Sequence, residues 1–145
     1  MIVKKYFINI LLGFIPMLFG GFIYISFRDE RILLFYWLNQ LNINYSKLRQ
    51  IDIGDGVIQS YIIYSLPHGL FIFSGTLIIG VIWRSCKKNF YIYTSILTII
   101  AIIYEISQKF GIIRGTFDVT DIISIIIFSV IGFIIFEIRR KNEKH

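Results

Sequence analysis

Side chains of the kinds that bind ligands or transfer protons cluster between residues 105 and 121, in the segment EISQKFGIIRGTFDVTD. They are three acids, an amide and a guanidinium: Glu105, Asp118, Asp121, Gln108 and Arg114. Carboxylates accept hydrogen bonds from amines and hydroxyls, and arginine binds anionic groups. Long apolar stretches flank the segment, and ionisable groups beside lipid are costly enough that they commonly mark a functional site. The segment is therefore the candidate site of this chain.

Four apolar blocks must position these side chains. The chain of 145 residues is 56% hydrophobic, has a mean hydropathy of +0.71 and is only 17% charged, against about 25% charged residues in soluble domains. The blocks are Tyr6–Phe27, Leu66–Trp83, Phe90–Gln108 and Val119–Ile138. About 20 helical residues cross a hydrocarbon core of about 30 Å, and backbone groups in lipid must be paired within the segment. The sequence predicts an all-α integral membrane bundle of four transmembrane helices, in one domain covering residues 1–145.

Basic residues predict the orientation of this bundle. Four spans place both termini and the loop between spans two and three on one side, which carries nine Lys and Arg residues against two acids. The opposite side carries six Lys and Arg residues against seven acids, so the formal charges are +7 and −1. Because basic loops remain in the cytoplasm, we expect both termini to be cytoplasmic and residues 105–121 to lie near the outer face.

The outer loop, Arg28–Ser65, contains a second apolar pattern. Apolar residues recur there at three- and four-residue spacings: Leu33, Leu34, Trp37, Leu38 and Leu41. The pattern predicts a short amphipathic helix, which either lies in the membrane interface or packs over the outer ends of the bundle. Gly56–Tyr64 is apolar too, and is either another interfacial turn or an early start of the second span. Ser65 and Pro67 are expected to cap and begin that span.

Helical spacing predicts that the candidate residues converge. Glu105 and Gln108 are three residues apart in the last outer turn of span three, and Asp118 and Asp121 are three apart at the start of span four. Residues three apart share one face of a helix. The connecting loop is short, so Arg114 is expected to lie among these acids.

His68 is a sixth candidate, at the outer rim of span two, and it reaches the cluster if the helices are neighbours. A structural interpretation stays open for all six residues. Asp118 and Asp121 suit a helix N-terminus as caps, Glu105 and Gln108 can meet interfacial water, and Arg114 can hold its loop. We expect no cofactor, and no metal, since the spacing of the acids and His68 matches no established ligand motif.

The stretch formed by Glu105-Ile-Ser-Gln108, Arg114 and Asp118-Val-Thr-Asp121, with Gly132 further along, resembles the VanZ-like family. That family comprises small multi-span bacterial membrane proteins named for an accessory teicoplanin-resistance protein. The likeness covers about the C-terminal third closely and the four-span layout loosely. It implies a bacterial plasma-membrane protein of the cell envelope and little about reaction chemistry.

The chain departs from the family pattern at two places in the last span. The family usually continues after the second Asp with an Asn and a Gly, and Ile125 and Phe128 occupy those places here. Loss of the small residue predicts wider helix packing at Phe128.

Three functions are compatible with this sequence. The first is a non-enzymatic envelope protein whose polar cluster binds a lipid headgroup, a cell-wall precursor or a glycopeptide. The second is a structural or partner protein in which the cluster only clamps spans three and four. The third is an intramembrane enzyme acting on a lipid-linked substrate, with Glu105 or Asp121 as base and His68 as proton shuttle. The chain contains no P-loop, GxGxxG or HExxH motif, so the enzyme has no positive signal in the sequence. The first function is the one expected, with the structural protein as the main alternative. Partners are the lipid bilayer and no nucleic acid, because no basic patch is interleaved with aromatics.

Overall fold

The computed structural model describes residues 2–28, 33–50, 54, 56–113 and 115–142, and contains only helices and connecting turns in that part of the chain. The elements are α1 (Ile2–Phe27), α2 (Leu33–Gln40), a 3₁₀ helix (Ser46–Gln50), α3 (Val57–Ser60), a π-helix (Tyr61–Ser65), α4 (Leu66–Ile82), α5 (Lys87–Lys109) and α6 (Val119–Asn142). Four helical stretches are long and apolar enough to cross a membrane: Ile10–Phe27, Val57–Ile82, Lys87–Lys109 and Val119–Asn142. Each overlaps one predicted block, so the all-helical fold class and the four apolar helices are confirmed.

The second long helix begins earlier than its predicted span. Helix α3, the π-helix and α4 run on without a break, so Gly56–Tyr64 leads directly into the span. The expected cap at Ser65 is wrong, because its backbone is helical and its side chain makes no capping hydrogen bond. The π-helix ends two residues before Pro67, whose missing N–H and bulky ring disturb the hydrogen bonds of the preceding turn. The widened turn accommodates proline inside a continuous helix.

Helix α4 lies at the centre of the bundle, in contact with α1, α5 and α6. Glycines allow its neighbours to approach closely, as is common where membrane helices pack. On α4, Gly69 lies against Ser124 and Phe128 of α6. The wider packing expected at Phe128 is therefore not found. Its aromatic ring occupies the space that a side chain at Gly69 would need, so the small residue comes from the facing helix.

Burial in this bundle differs from that in a soluble protein. The most buried side chains include those of Ser65, Ser74, Thr76 and Ser124, whereas many isoleucines are exposed, among them Ile100 at 60%. Hydroxyl groups join the helices: Ser74 donates to the Gly13 carbonyl, and Thr98 Oγ1 lies 2.7 Å from Ser129 Oγ. An apolar exterior with hydroxyl groups in the interior is compatible with lipid as the solvent.

Aromatic rings hold the end of the bundle away from residue 105. Phe90 of α5 is fully buried, and its ring centroid lies 4.4 Å from that of Phe136 and 5.4 Å from that of Phe133, both on α6. Tyr91 adds a hydrogen bond to Glu137, 3.3 Å away. This aromatic end fixes α5 against α6 independently of the polar end.

The predicted amphipathic helix is present as α2, but its buried residue lies outside the predicted stripe. Phe35 is completely buried against Tyr45 and the Arg49 guanidinium. Trp37 and Leu41 are 56% and 68% exposed, as side chains in contact with lipid would be. The side chains of Leu33 and Leu34 lie outside the described part of the structure.

The close contact of α4 with α6 can be tested far from the polar end. A Cβ at Gly80 would overlap the Phe136 ring, whereas a Cβ at Gly21 meets nothing within 4 Å. We expect Gly80→Ala to lower the free energy of unfolding by about 1–3 kcal/mol through overpacking. Gly21→Ala should leave it unchanged or raise it. Thermal unfolding in detergent measures both, and equal midpoints for the two variants would contradict this packing.

Candidate functional site

Three ionisable side chains from three helices meet at one end of the bundle. The Nδ1 atom of His68, on α4, lies 3.0 Å from Oε1 of Glu105 on α5 and 3.8 Å from Oδ2 of Asp121 on α6. Glu105 is 1% exposed and Asp121 is 4% exposed, while the His68 side chain is 20% exposed. We call these three residues the acid–histidine cluster. Its carboxylates are inside the protein, and its imidazole reaches the rim.

The face of the second long helix that carries His68 is fixed against α6 by hydroxyl groups. Ser65, three residues before His68, has its Oγ 2.7 Å from Thr120 Oγ1. One helical turn earlier, the Tyr61 hydroxyl lies 3.3 Å from Ser124 Oγ. The hydroxyl contacts therefore set the register that brings His68 level with Asp121.

Arg28 completes the site on the rim side. Its Nη2 atom lies 3.3 Å from Nε2 of His68. Arginine can only donate, so Nε2 must accept, and the imidazole proton then resides on Nδ1. From there it can be donated to Glu105.

The Arg28 side chain and backbone are held by several partners. Its Nη2 also donates to the Tyr64 carbonyl at 3.3 Å, and its guanidinium lies 5.2 Å from the ring centroid of Tyr24 and 5.0 Å from that of Tyr64. Arg49 Nη1 donates to the Arg28 carbonyl at 2.7 Å. Sequence reasoning missed Arg28 as a site residue. Its position directly after the first span, at the same outer end as residue 105, was the available signal.

Two carboxylate oxygens of the cluster are left without partners. Oε2 of Glu105 and Oδ1 of Asp121 are buried and accept no hydrogen bond from any residue that the structure describes. A buried polar atom without a partner costs about 1–3 kcal/mol, and more when it is charged. Most buried polar atoms in native proteins are satisfied by protein, water or ligand. The unpartnered oxygens are therefore the strongest indication that this cluster receives something.

The other sequence candidates lie outside the cluster. Asp118 is exposed, and its Oδ1 accepts a hydrogen bond from the Thr120 amide at 2.9 Å, as a helix cap does. Gln108 is half-buried, and its side chain fills the space beside Gly115 in the following loop. Arg114, expected among the acids, falls outside the described residues. Of the six candidates, the structure brings together His68, Glu105 and Asp121.

An open cleft of 540 Å³ is connected to the site through one of its lining residues, Arg49. Its lining is rich in amides and includes Asn39, Asn42, Asn44, Tyr45, Ser46 and Arg49. Through its hydrogen bond to the Arg28 carbonyl, Arg49 connects this cleft to the residue that contacts His68. Polar groups thus continue from an open surface to the buried carboxylates.

The cluster offers the donor atoms of a metal site. One nitrogen of His68 and one oxygen each from Glu105 and Asp121 lie within 4.8 Å of one another. Sequence spacing gave no sign of this, because the three residues come from three different helices. Imidazole nitrogen with carboxylate oxygen is a ligand set that suits several divalent cations.

Comparison with known proteins adds no assignment. No protein-family model matches the chain, and neither a curated protein nor a solved structure shows significant similarity to it. The functional argument therefore rests on the site itself.

Substitutions at Asp118 test its separation from the cluster. We expect Asp118→Ala to cost about 1 kcal/mol of stability, because the cap on the Thr120 amide is lost. Asp118→Asn should be nearly neutral, since asparagine caps equally well. Chemical or thermal unfolding in detergent measures the difference. A large loss with Asp118→Asn would show that its charge, rather than its capping oxygen, is what matters.

Proposed function

We propose that this chain is a non-enzymatic membrane protein of the bacterial cell envelope that binds a polar ligand at the acid–histidine cluster. The ligand class is a lipid headgroup, a cell-wall precursor or a glycopeptide. One observation carries the proposal: two buried carboxylate oxygens, on Glu105 and Asp121, lack a partner among the described residues. A bound donor or cation would satisfy both, and would offset a cost that the folded protein otherwise bears.

The shape of the polar end supports a small binding group on a larger ligand. Glu105 and Asp121 are too deeply buried for a bulky group to reach them. The amide-lined cleft is open, and Arg49, which lines it, donates a hydrogen bond to the Arg28 carbonyl. In this proposal the body of a headgroup lies in the cleft, and only its smallest polar group or an associated ion reaches the carboxylates.

The setting of the site is part of the proposal. Four apolar helices of spanning length support insertion in a bilayer, and the charge difference between the two sides supports cytoplasmic termini. The cluster then lies near the outer face, where envelope lipids and wall precursors are found. The resemblance of Glu105-Ile-Ser-Gln108 and Asp118-Val-Thr-Asp121 to the VanZ-like pattern supports the same placement.

A structural clamp is the second candidate, and a specific observation favours it. His68, Glu105 and Asp121 belong to α4, α5 and α6, so their contacts tie together three helices. The unpartnered oxygens count against a clamp, because a clamp is strongest when every buried polar atom is paired. An intramembrane enzyme on a lipid-linked substrate is the weaker alternative, with His68 as the group that carries a proton between the carboxylates and the rim.

Glu105→Gln separates binding from clamping. The amide preserves the shape of the side chain and removes its charge. If the cluster is a binding site, the variant protein should keep its fold, and its free energy of unfolding without ligand should rise by about 1–3 kcal/mol. The same variant should lose any co-purifying lipid or precursor. Native mass spectrometry of the detergent-purified protein detects the ligand, and thermal unfolding measures the stability.

Glu137→Gln is the matched control. It removes a glutamate from the end of the bundle away from the cluster, where Glu137 Oε2 lies 2.7 Å from Arg140 Nη2. It should retain the co-purifying molecule. A Glu105→Gln protein that unfolds at lower temperature, with unchanged lipid content, would favour the clamp.

The native Cys86, the single cysteine of the chain, tests the orientation. It lies in the connection between α4 and α5, on the side proposed to be cytoplasmic. We expect a membrane-impermeant maleimide to leave Cys86 unmodified in intact cells. It should modify Ile112→Cys in a Cys86→Ser background, because Ile112 is 76% exposed in the α5–α6 loop. The opposite labelling pattern would invert the topology.

A further inference from the structure

We infer that His68, Glu105 and Asp121 bind a divalent cation of the zinc and manganese type. The inference rests on the proposed function, because it requires the acid–histidine cluster to be a binding site and names what enters it. Two carboxylates and an imidazole, each from a different helix, place one donor atom each within 4.8 Å of the others at the polar end of the bundle.

The distances from the imidazole to both carboxylates fit one small ion. Ligand atoms bound at about 2.0–2.2 Å to a common ion lie about 3–4 Å from each other. The separations of 3.0 Å from His68 Nδ1 to Glu105 Oε1, and of 3.8 Å from Nδ1 to Asp121 Oδ2, fall in that range, and the ligand oxygens of Glu105 and Asp121 lie within 4.8 Å of each other. Small rotations of the carboxylates complete the coordination, and bidentate binding would use the oxygens that now lack partners.

Burial and charge favour an ion over a bulkier occupant. Carboxylates that are 1% and 4% exposed admit an atom rather than an organic group. The two carboxylates face one permanently charged side chain among the described residues of the site, the Arg28 guanidinium, which lies on the other side of the His68 ring. A divalent cation would compensate both carboxylates in a buried setting, where an uncompensated charge is most costly.

The contact of Arg28 with His68 makes a directional prediction. A metal on Nδ1 takes the place of the proton there, and the neutral ring then carries its proton on Nε2. Nε2 and Arg28 Nη2 would both be donors, so the guanidinium must leave Nε2. Arg28→Gln removes a positive charge beside the ion and supplies an amide oxygen that can accept from Nε2–H. Metal-binding histidines commonly donate their second N–H in this way.

Three protein ligands leave at least one coordination position for an outside oxygen. The ion would lie behind the rim formed by His68 and Arg28, and Arg49 of the amide-lined cleft contacts the backbone of Arg28. A phosphate or carboxylate oxygen of a headgroup fits that position. The cation would thus let an anionic headgroup bind at a site whose own charges are negative.

Zinc titration of the full-length protein in detergent tests the site. In a Cys86→Ser, His145→Gln background, His68 is the only histidine and no cysteine competes for zinc. We expect one equivalent of Zn²⁺ per chain by calorimetry, and weaker Mn²⁺ binding that Zn²⁺ displaces. Glu105→Gln and Asp121→Asn in this background should weaken zinc binding by at least about 100-fold. Arg28→Gln should strengthen it several-fold.

Asp118→Asn is the matched control, because it removes an exposed acid three residues before Asp121 and preserves the cap. It should bind zinc as the background protein does. Zinc affinity that is equal in Glu105→Gln, Asp121→Asn and the background would overturn the inference.

One measurement does not depend on folding of the variants. With ¹⁵N-labelled histidine, zinc must shift the His68 ring nitrogen resonances of the background protein, and zinc uptake without a shift would overturn the site. If native mass spectra show a lipid whose retention depends on Glu105, but zinc does not bind, the cation site is wrong and the proposed function stands. If neither zinc nor such a lipid binds, and Glu105→Gln is destabilised, the proposed function is wrong as well.

Discussion

The contact between His68 Nδ1 and the buried Glu105 carboxylate is the interaction on which the polar half of this bundle depends. It requires α4 to lie against α5 and α6 at the same level, and an error of one residue in register would leave a carboxylate buried alone. The glycines of α4 allow that approach, and the hydroxyl contacts of Ser65 with Thr120 fix its height. Helix packing and site geometry are therefore parts of one constraint.

The sequence was sufficient for the coarse architecture because lipid imposes a simple rule. A run of about 20 apolar residues must become a helix, so four helices and their approximate ends could be predicted. Details that depend on side-chain contacts between helices could not be predicted in this way. Ser65 has the residue type of a cap, yet its hydroxyl bonds to Thr120 inside a continuous helix. Phe128 indicated wide packing, but Gly69 of the facing helix makes room for its ring.

Only part of the site could be predicted, because some residues that meet there are far apart in the sequence. Glu105 and Asp121 could be paired because a short loop joins their helices, and Asp118 could be assigned either role until its capping bond to Thr120 was visible. Arg28 directly follows α1, 40 residues before His68 in sequence, and no local spacing indicates such a neighbour. Metal-ligand motifs fail here for the same reason. They describe ligands on one or two elements, whereas this cluster takes each from its own helix.

Arg28 orients the imidazole of the site. By donating to Nε2 of His68 it directs the ring N–H at Nδ1 toward Glu105, so one carboxylate of the cluster keeps a hydrogen bond. Two buried acids and one arginine lie on opposite sides of the His68 ring, and Glu105 Oε2 and Asp121 Oδ1 have no partner among the described residues. A clamp is strongest when every buried polar atom is paired, so these two oxygens count against a purely structural role. They are the atoms to which the proposed ligand would contribute its interactions.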